Sequence, residues 1–179
     1  AIWYPCIIRN LPDKLSTRIF QKQVITIKVI YFDYGGSHSS VVAAHIHAGK
    51  LESSETPPIE KIINLPYFDK TTKNDFGKIR RVGTDTDGND IHVLGTKNGN
   101  SGGLLSGLVD AQNLTDKFRF VDTMPYVNTW LRIGGWLSRG PSLPALGRPL
   151  IRIGILQAYP KLVTLVREAG KTSLMEVLQ

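Results

Sequence analysis

Val24–Leu51, VITIKVIYFDYGGSHSSVVAAHIHAGKL, reads as a strand, a glycine loop and a helix in direct succession. Val24, Ile25, Ile27, Val29, Ile30 and Phe32 form a nearly unbroken β-branched and aromatic run, the pattern of a strand covered on both faces in a parallel sheet. Gly35 and Gly36 end that run. Ser37, Ser39 and Ser40 are capping residue types placed just before Val41, Val42, Ala43, Ala44 and Ile46, so a helix is predicted to begin near His38 and to stop at Gly49. A helix N-terminus fed by a glycine loop turns backbone N–H groups and a partial positive charge outward, which is the chemistry of an anion site.

Upstream of this unit, residues 1–23 interrupt their apolar part at Pro5 and Arg9 and show no small-residue cleavage site. They read as an N-terminal extension without signal architecture, and residues 24–179 as a single α/β domain. Downstream, Glu52–Pro58 is a polar linker whose prolines start a short helix at Ile59–Leu65. A loop from Pro66 to Asn74 follows, with Thr72 and Asp75 placed to cap one turn; Tyr67, Phe68 and Asp69 are candidate pocket walls beside the first helix. Lys78–Thr84 and Asp90–Thr96 flank an Asp-Gly turn and predict a β-hairpin. That acidic turn is not a calcium loop, because its glycine is misplaced and no glutamate stands where the last ligand belongs.

Lys97–Gly103 leads into Leu104, Leu105, Leu108 and Val109, a second strand, glycine loop and helix. Phe118–Asp122 is the next predicted strand, followed by a helix over Tyr126–Ser138, a loop over Arg139–Pro149, a last strand at Leu150–Ile155 and a closing helix at Pro160–Ala169. Strands alternating with helices predict a three-layer α/β fold: a mostly parallel sheet with helices on both faces, Rossmann-like, with one added β-hairpin. Val29, Ile30, Val121 and Ile153 are expected in that sheet. Ligands of such sheets bind beyond the carboxyl ends of the strands, where Tyr34–Ser40, Lys97–Gly103 and Asp122–Thr123 fall.

The composition, 179 residues with 41% hydrophobic content and a net charge of +7, fits one folded domain and excludes disordered and fibrous classes. Thr123–Pro160 holds Arg132, Arg139, Arg148 and Arg152 with no lysine and no acid, a surface suited to an outside phosphate or carboxylate. Cys6 is the only cysteine, which excludes an internal disulfide and a cysteine-based zinc site and points to a reducing, cytoplasmic compartment. No apolar run reaches the ~18 residues that span a bilayer.

Taken together, YGGSHSS, AAHIHAGKL, NLPYFDK, the GTDTDG turn, VLGTKN, FVDTMPYVN, GGWLSRG, LGRPL and AYPKLV resemble an uncharacterised family of small proteins from Gram-positive, spore-forming bacteria, a domain of unknown function. The resemblance runs over about Ile27–Val166 and implies a cytoplasmic bacterial protein without assigning a reaction. Some members carry a cysteine where Asp33 stands, so cysteine chemistry does not carry over to this chain.

The chain has neither a GxxxxGK[ST] phosphate loop nor a GxGxxG dinucleotide fingerprint. A simpler site is predicted: an anion, phosphate-containing or otherwise, held at Gly35, Gly36, Ser37, Ser39 and Ser40, with Lys97, Arg139 and Arg148 closing over it. His38 is the candidate acid or base of a hydrolase or transferase, and Asp122 the carboxylate that orients it. His38 and His45 would stand two turns apart, about 10 Å, too far to share an ion unaided, so no metal is assigned. A second class stays open, a non-catalytic module that docks a protein or membrane surface through the Trp130–Arg139 helix; exposure of both tryptophans would favour it. The cofactor is unassigned, no specific nucleic acid is predicted, and a protein partner or homo-oligomer remains open.

Overall fold

The computed structural model describes residues 26–98, 101–139 and 143–176. The extension predicted for residues 1–23 lies outside them.

Its centre is the strand expected from the sequence, β1 (Lys28–Asp33). β1 pairs in parallel with β3 (Asp90–Gly95) on one side and with β4 (Phe118–Asp122) on the other. β2 (Arg80–Thr84) joins β3 antiparallel at the edge, so the strand order is β2-β3-β1-β4. The result is a mixed α/β fold with an open, mostly parallel sheet. The predicted hairpin is present, closed by Asp85, whose backbone N–H bonds the Asn89 carbonyl at 3.0 Å. A bulge between Arg81 and Gly83 bends the edge strand.

Alternation along β1 divides the core. Val29 and Tyr31 belong to the larger cluster, together with Val41, Val42 and Ile46 of α1 (Ser39–His47) and Ile62 of α2 (Ile59–Ile63). Ile30 and Phe32 point the other way, into a small cluster with Leu94 that Leu105 of α3 (Gly102–Ala111) only partly covers. α1 ends as predicted: the Gly49 N–H bonds the Ile46 carbonyl and the Lys50 N–H bonds the His45 carbonyl, a Schellman closure.

After β4 the fold departs from expectation. Pro125 starts only a short 3-10 turn at Met124–Tyr126, and the helix that follows, α4, runs over Thr129–Arg139. Leu150–Ile155 is no strand; it lies inside one long helix, α5 (Pro144–Glu176), which also absorbs part of the predicted Arg139–Pro149 loop and the separate closing helix. Ile153, expected in the sheet, is exposed on that helix, while Ile151 and Ile155 are buried. An i, i+4 pair inward with the intervening isoleucine outward is a helical period, and packing against α1 and α4 selects it over the alternating strand reading. Pro149 and Pro160 sit within α5, each withdrawing one N–H from its ladder. α4 and α5 approach closely because Gly134 and Gly147 face each other: a Cβ on Gly147 would stand 2.6 Å from the Gly134 carbonyl oxygen.

Candidate functional site

β1 ends in Asp33, and its buried carboxylate organises the loop that follows. Oδ1 accepts from the Gly35 N–H at 2.9 Å and from the Gly36 N–H; Oδ2 accepts from the Ser39 hydroxyl at 2.8 Å and the Ser40 N–H at 3.0 Å. The anion at the N-terminus of α1 is thus the chain's own side chain, held by charge-assisted hydrogen bonds and by the helix dipole. Of the donors expected to meet a ligand, the amides of Gly35, Gly36 and Ser40 and the Ser39 hydroxyl are engaged by Asp33. The Ser37 hydroxyl lies 3.4 Å from the Gly35 carbonyl oxygen.

Gly36 is required by packing. Its φ is +60°, and a Cβ there would stand 2.6 Å from the Gly95 backbone nitrogen, so the loop leans directly on the end of β3. The Gly36 carbonyl accepts from the Thr71 hydroxyl at 3.0 Å and from Arg80 Nη2 at 2.6 Å.

His38, 6% exposed, precedes α1 and meets Asp69: its Nε2 lies 3.2 Å from Asp69 Oδ1, and its ring stands edge-on to Phe68. Asp69 has a φ of 52°, held by an N–H bond to the Ser37 carbonyl at 3.1 Å, which carries the carboxylate back to the histidine. Arg148 Nε stands 3.4 Å from Asp69 Oδ2. Burial raises the Asp69 pKa, but the hydrogen bond and charge of His38, and then those of Arg148, outweigh it and hold the carboxyl below the usual range. The carboxylate predicted for His38, Asp122, instead accepts the Met124 N–H at 2.8 Å and turns the chain after β4.

A cavity of about 850 Å³ opens beyond the carboxyl ends of β1, β3 and β4. Asp33, Gly35, His38 and Ser39 line it from the first loop, and Lys97 from the second. Lys73, Phe76 and Met124 also line it, as do Leu131, Arg132 and Trp136 of α4. The cavity thus takes lining residues from the loops that follow β1 and β3. Lys97 has a φ of 56°, and its ammonium stands 6.0 Å from the Phe76 ring centre. Arg148 lines a separate, smaller cavity with Asp69 and Arg152. The Arg139 side chain lies outside the described residues.

His45 and His47 point elsewhere. His45 is fully buried with Nδ1 2.8 Å from the Val41 carbonyl oxygen, and His47 joins the Tyr31 hydroxyl at 2.9 Å to Asp85 at 3.4 Å. Sequence reasoning marked Arg132 as suited to an outside anion without placing it in this cavity, and missed Lys73 and Trp136 as cavity residues and Asp69 as the partner of His38. A loop aspartate beside an aromatic pair was the one available signal for Asp69.

The fold and site define an α/β protein with a basic cleft at the strand ends. A sequence model of the family described as "Protein of unknown function (DUF3189)" matches residues 28–171, and the chain belongs to that family. No curated protein and no solved structure matches the chain. No helix among the described residues is long and apolar enough to cross a membrane.

Proposed function

We propose that this chain binds a small anionic molecule, a phosphate ester or a comparable anion, in the cleft of a Rossmann-like sheet, and that His38 serves there as acid or base in hydrolysis or group transfer. The observation that carries this is the charge of the cleft wall. Lys73, Lys97 and Arg132 line it, against one acid among the described lining residues, Asp33, whose two oxygens are already engaged by donors of the loop. An excess of cations over acids in a partly enclosed site attracts and orients an anion.

With Asp69 accepting from Nε2–H, His38 keeps its lone pair on Nδ1. As the oxygen of water or an acceptor alcohol bonds to phosphorus, Nδ1 takes its proton. The bond from phosphorus to the leaving oxygen breaks, and that oxygen departs with the electron pair and receives a proton in turn. Asp69 is the positioning residue of the pair.

The test is thermal melting with pyrophosphate, sugar phosphates and nucleotides. A bound anion at a hundredfold excess over its dissociation constant stabilises the fold by about 2.7 kcal/mol. The shift is expected to vanish in Lys97→Ala/Arg132→Ala and to persist in His38→Gln, which should instead lose turnover. If no phosphorylated compound shifts the melting of the wild type, the reading fails.

A second reading is favoured by the exposure of Trp130 (44%) and Trp136 (65%) with Ile133 on α4. An amphipathic helix with tryptophans and arginine on its outer side fits docking to an anionic surface. Sedimentation with phosphatidylserine vesicles should be lost in Trp130→Ser/Ile133→Ser; equal sedimentation of variant and wild type would remove this surface from consideration.

A further inference from the structure

We infer that the ligand of the cleft is a nucleoside phosphate whose base stacks on Trp136, an assignment that rests on the anion reading of the same site. Volume comes first. A cavity of about 850 Å³ is of the size that holds a drug-sized molecule, far larger than a lone phosphate needs. The ligand must bring a body as well as a charge.

The lining says what kind of body. Phe76, Met124, Val127, Leu131 and Trp136 offer apolar surface, while Lys73, Lys97 and Arg132 offer positive charge in the same cavity. A ligand matched to both is part flat and apolar, part anionic. Trp136 lines the cleft yet keeps 65% of its surface exposed, so its indole is not consumed by the core and remains available as a stacking platform.

Two further features fit a base. Arg132 and Trp136 are four residues apart on α4, hence neighbours on one helix side, which places a guanidinium beside the indole. α4 itself is fixed against α5, since even a methyl group on Gly134 would come within 2.8 Å of the Gly147 carbonyl oxygen. The platform is therefore carried on a rigid element, which lowers the ordering cost of stacking.

The experiment is a binding titration, by calorimetry and by tryptophan fluorescence, of wild type, Trp136→Leu and Trp136→Phe with pyrophosphate, the free nucleosides and the four nucleoside monophosphates. At least one nucleoside monophosphate is expected to bind about tenfold or more tighter than pyrophosphate and to quench the fluorescence that Trp136→Phe removes. Trp136→Leu should erase that tenfold preference while pyrophosphate affinity stays as in wild type, and Trp136→Phe should restore part of it. Nucleotides binding no tighter than pyrophosphate, or a preference that Trp136→Leu leaves intact, would overturn the stacking assignment and leave the anion reading standing. Failure of every phosphorylated probe to bind would overturn both.

Discussion

At Asp33 a single residue decides what the glycine loop can do. Its two oxygens gather three backbone N–H groups and the Ser39 hydroxyl, and Thr123 secures that serine from the end of β4 with its hydroxyl 3.1 Å away. Hydrogen bonds to a charged group contribute about 1.5–3 kcal/mol each, and buried donors left unpaired are costly. Asp33→Ala is therefore expected to lose on the order of 3 kcal/mol or more of stability in urea denaturation. Added phosphate or sulfate should raise the melting temperature of that variant more than that of wild type, because the vacated donors form an anion site. A loss below about 1 kcal/mol would show that the loop does not depend on this carboxylate. Residue types were readable in the sequence here: the glycines form the loop and the helix starts beside His38, but no serine caps it, His38 standing at the N-cap without a side-chain cap bond. Their partners were not. Asp69 reaches His38 across thirty-one residues through an unusual backbone angle, and Asp33 turned inward where an outside anion was expected.

Elements were legible where one local pattern had one solution. After the exposed Lys28, β1 has no charged residue until Asp33 and is flanked on both sides by strands, so the apolar run from Val29 to Phe32 and its burial agree. The Thr72 and Asp75 cap was also local, and both of its reciprocal hydrogen bonds form. LIRIGI had two solutions. Read in isolation it alternates like a strand, and the prolines at 149 and 160 suggested breaks on either side. The deciding interactions lie elsewhere in the chain: Gly134 and Leu131 of α4 meet Gly147 and Gly154 of α5 at backbone distance, a close helix-to-helix packing. Tyr159 and Arg167 then fasten α5 to the linker through the Glu52 and Ser53 carbonyls at 2.5 and 2.8 Å. Propensity at the prolines is overridden by this packing, which no short window of sequence contains.

Over the whole molecule, the histidines couple folding to pH. Burial lowers the pKa of His45, His47 and His92 from the ordinary value of 6.5; Asp85 opposes the shift at His47, and a backbone carbonyl opposes it at His45 and at His92. Their surroundings favour the neutral ring. His45 Nε2 is buried with no hydrogen-bond partner, and at His47 burial outweighs the opposing charge of Asp85. Because these folded-state values lie below those of the unfolded chain, the unfolded state binds protons first as acid is added. The stability they contribute is complete above about pH 6.5 and is lost as pH falls through the folded values. Asp69, also depressed, adds a second loss only in the carboxylate range, below its ordinary 3.8. The two windows separate the contributions. Urea denaturation midpoints should be level above about pH 7 and should fall between about pH 6.5 and 5, before any carboxylate with a lowered pKa is protonated. Replacing His45 by Gln, which keeps a side-chain amide for the Val41 carbonyl and cannot take up a proton in this range, should make the fall in the upper window shallower, leaving the part due to His47 and His92, at the cost of a lower midpoint at neutral pH. A wild-type midpoint that stays constant down to about pH 5 would mean that the buried histidines take up protons as readily in the folded chain as in the unfolded one.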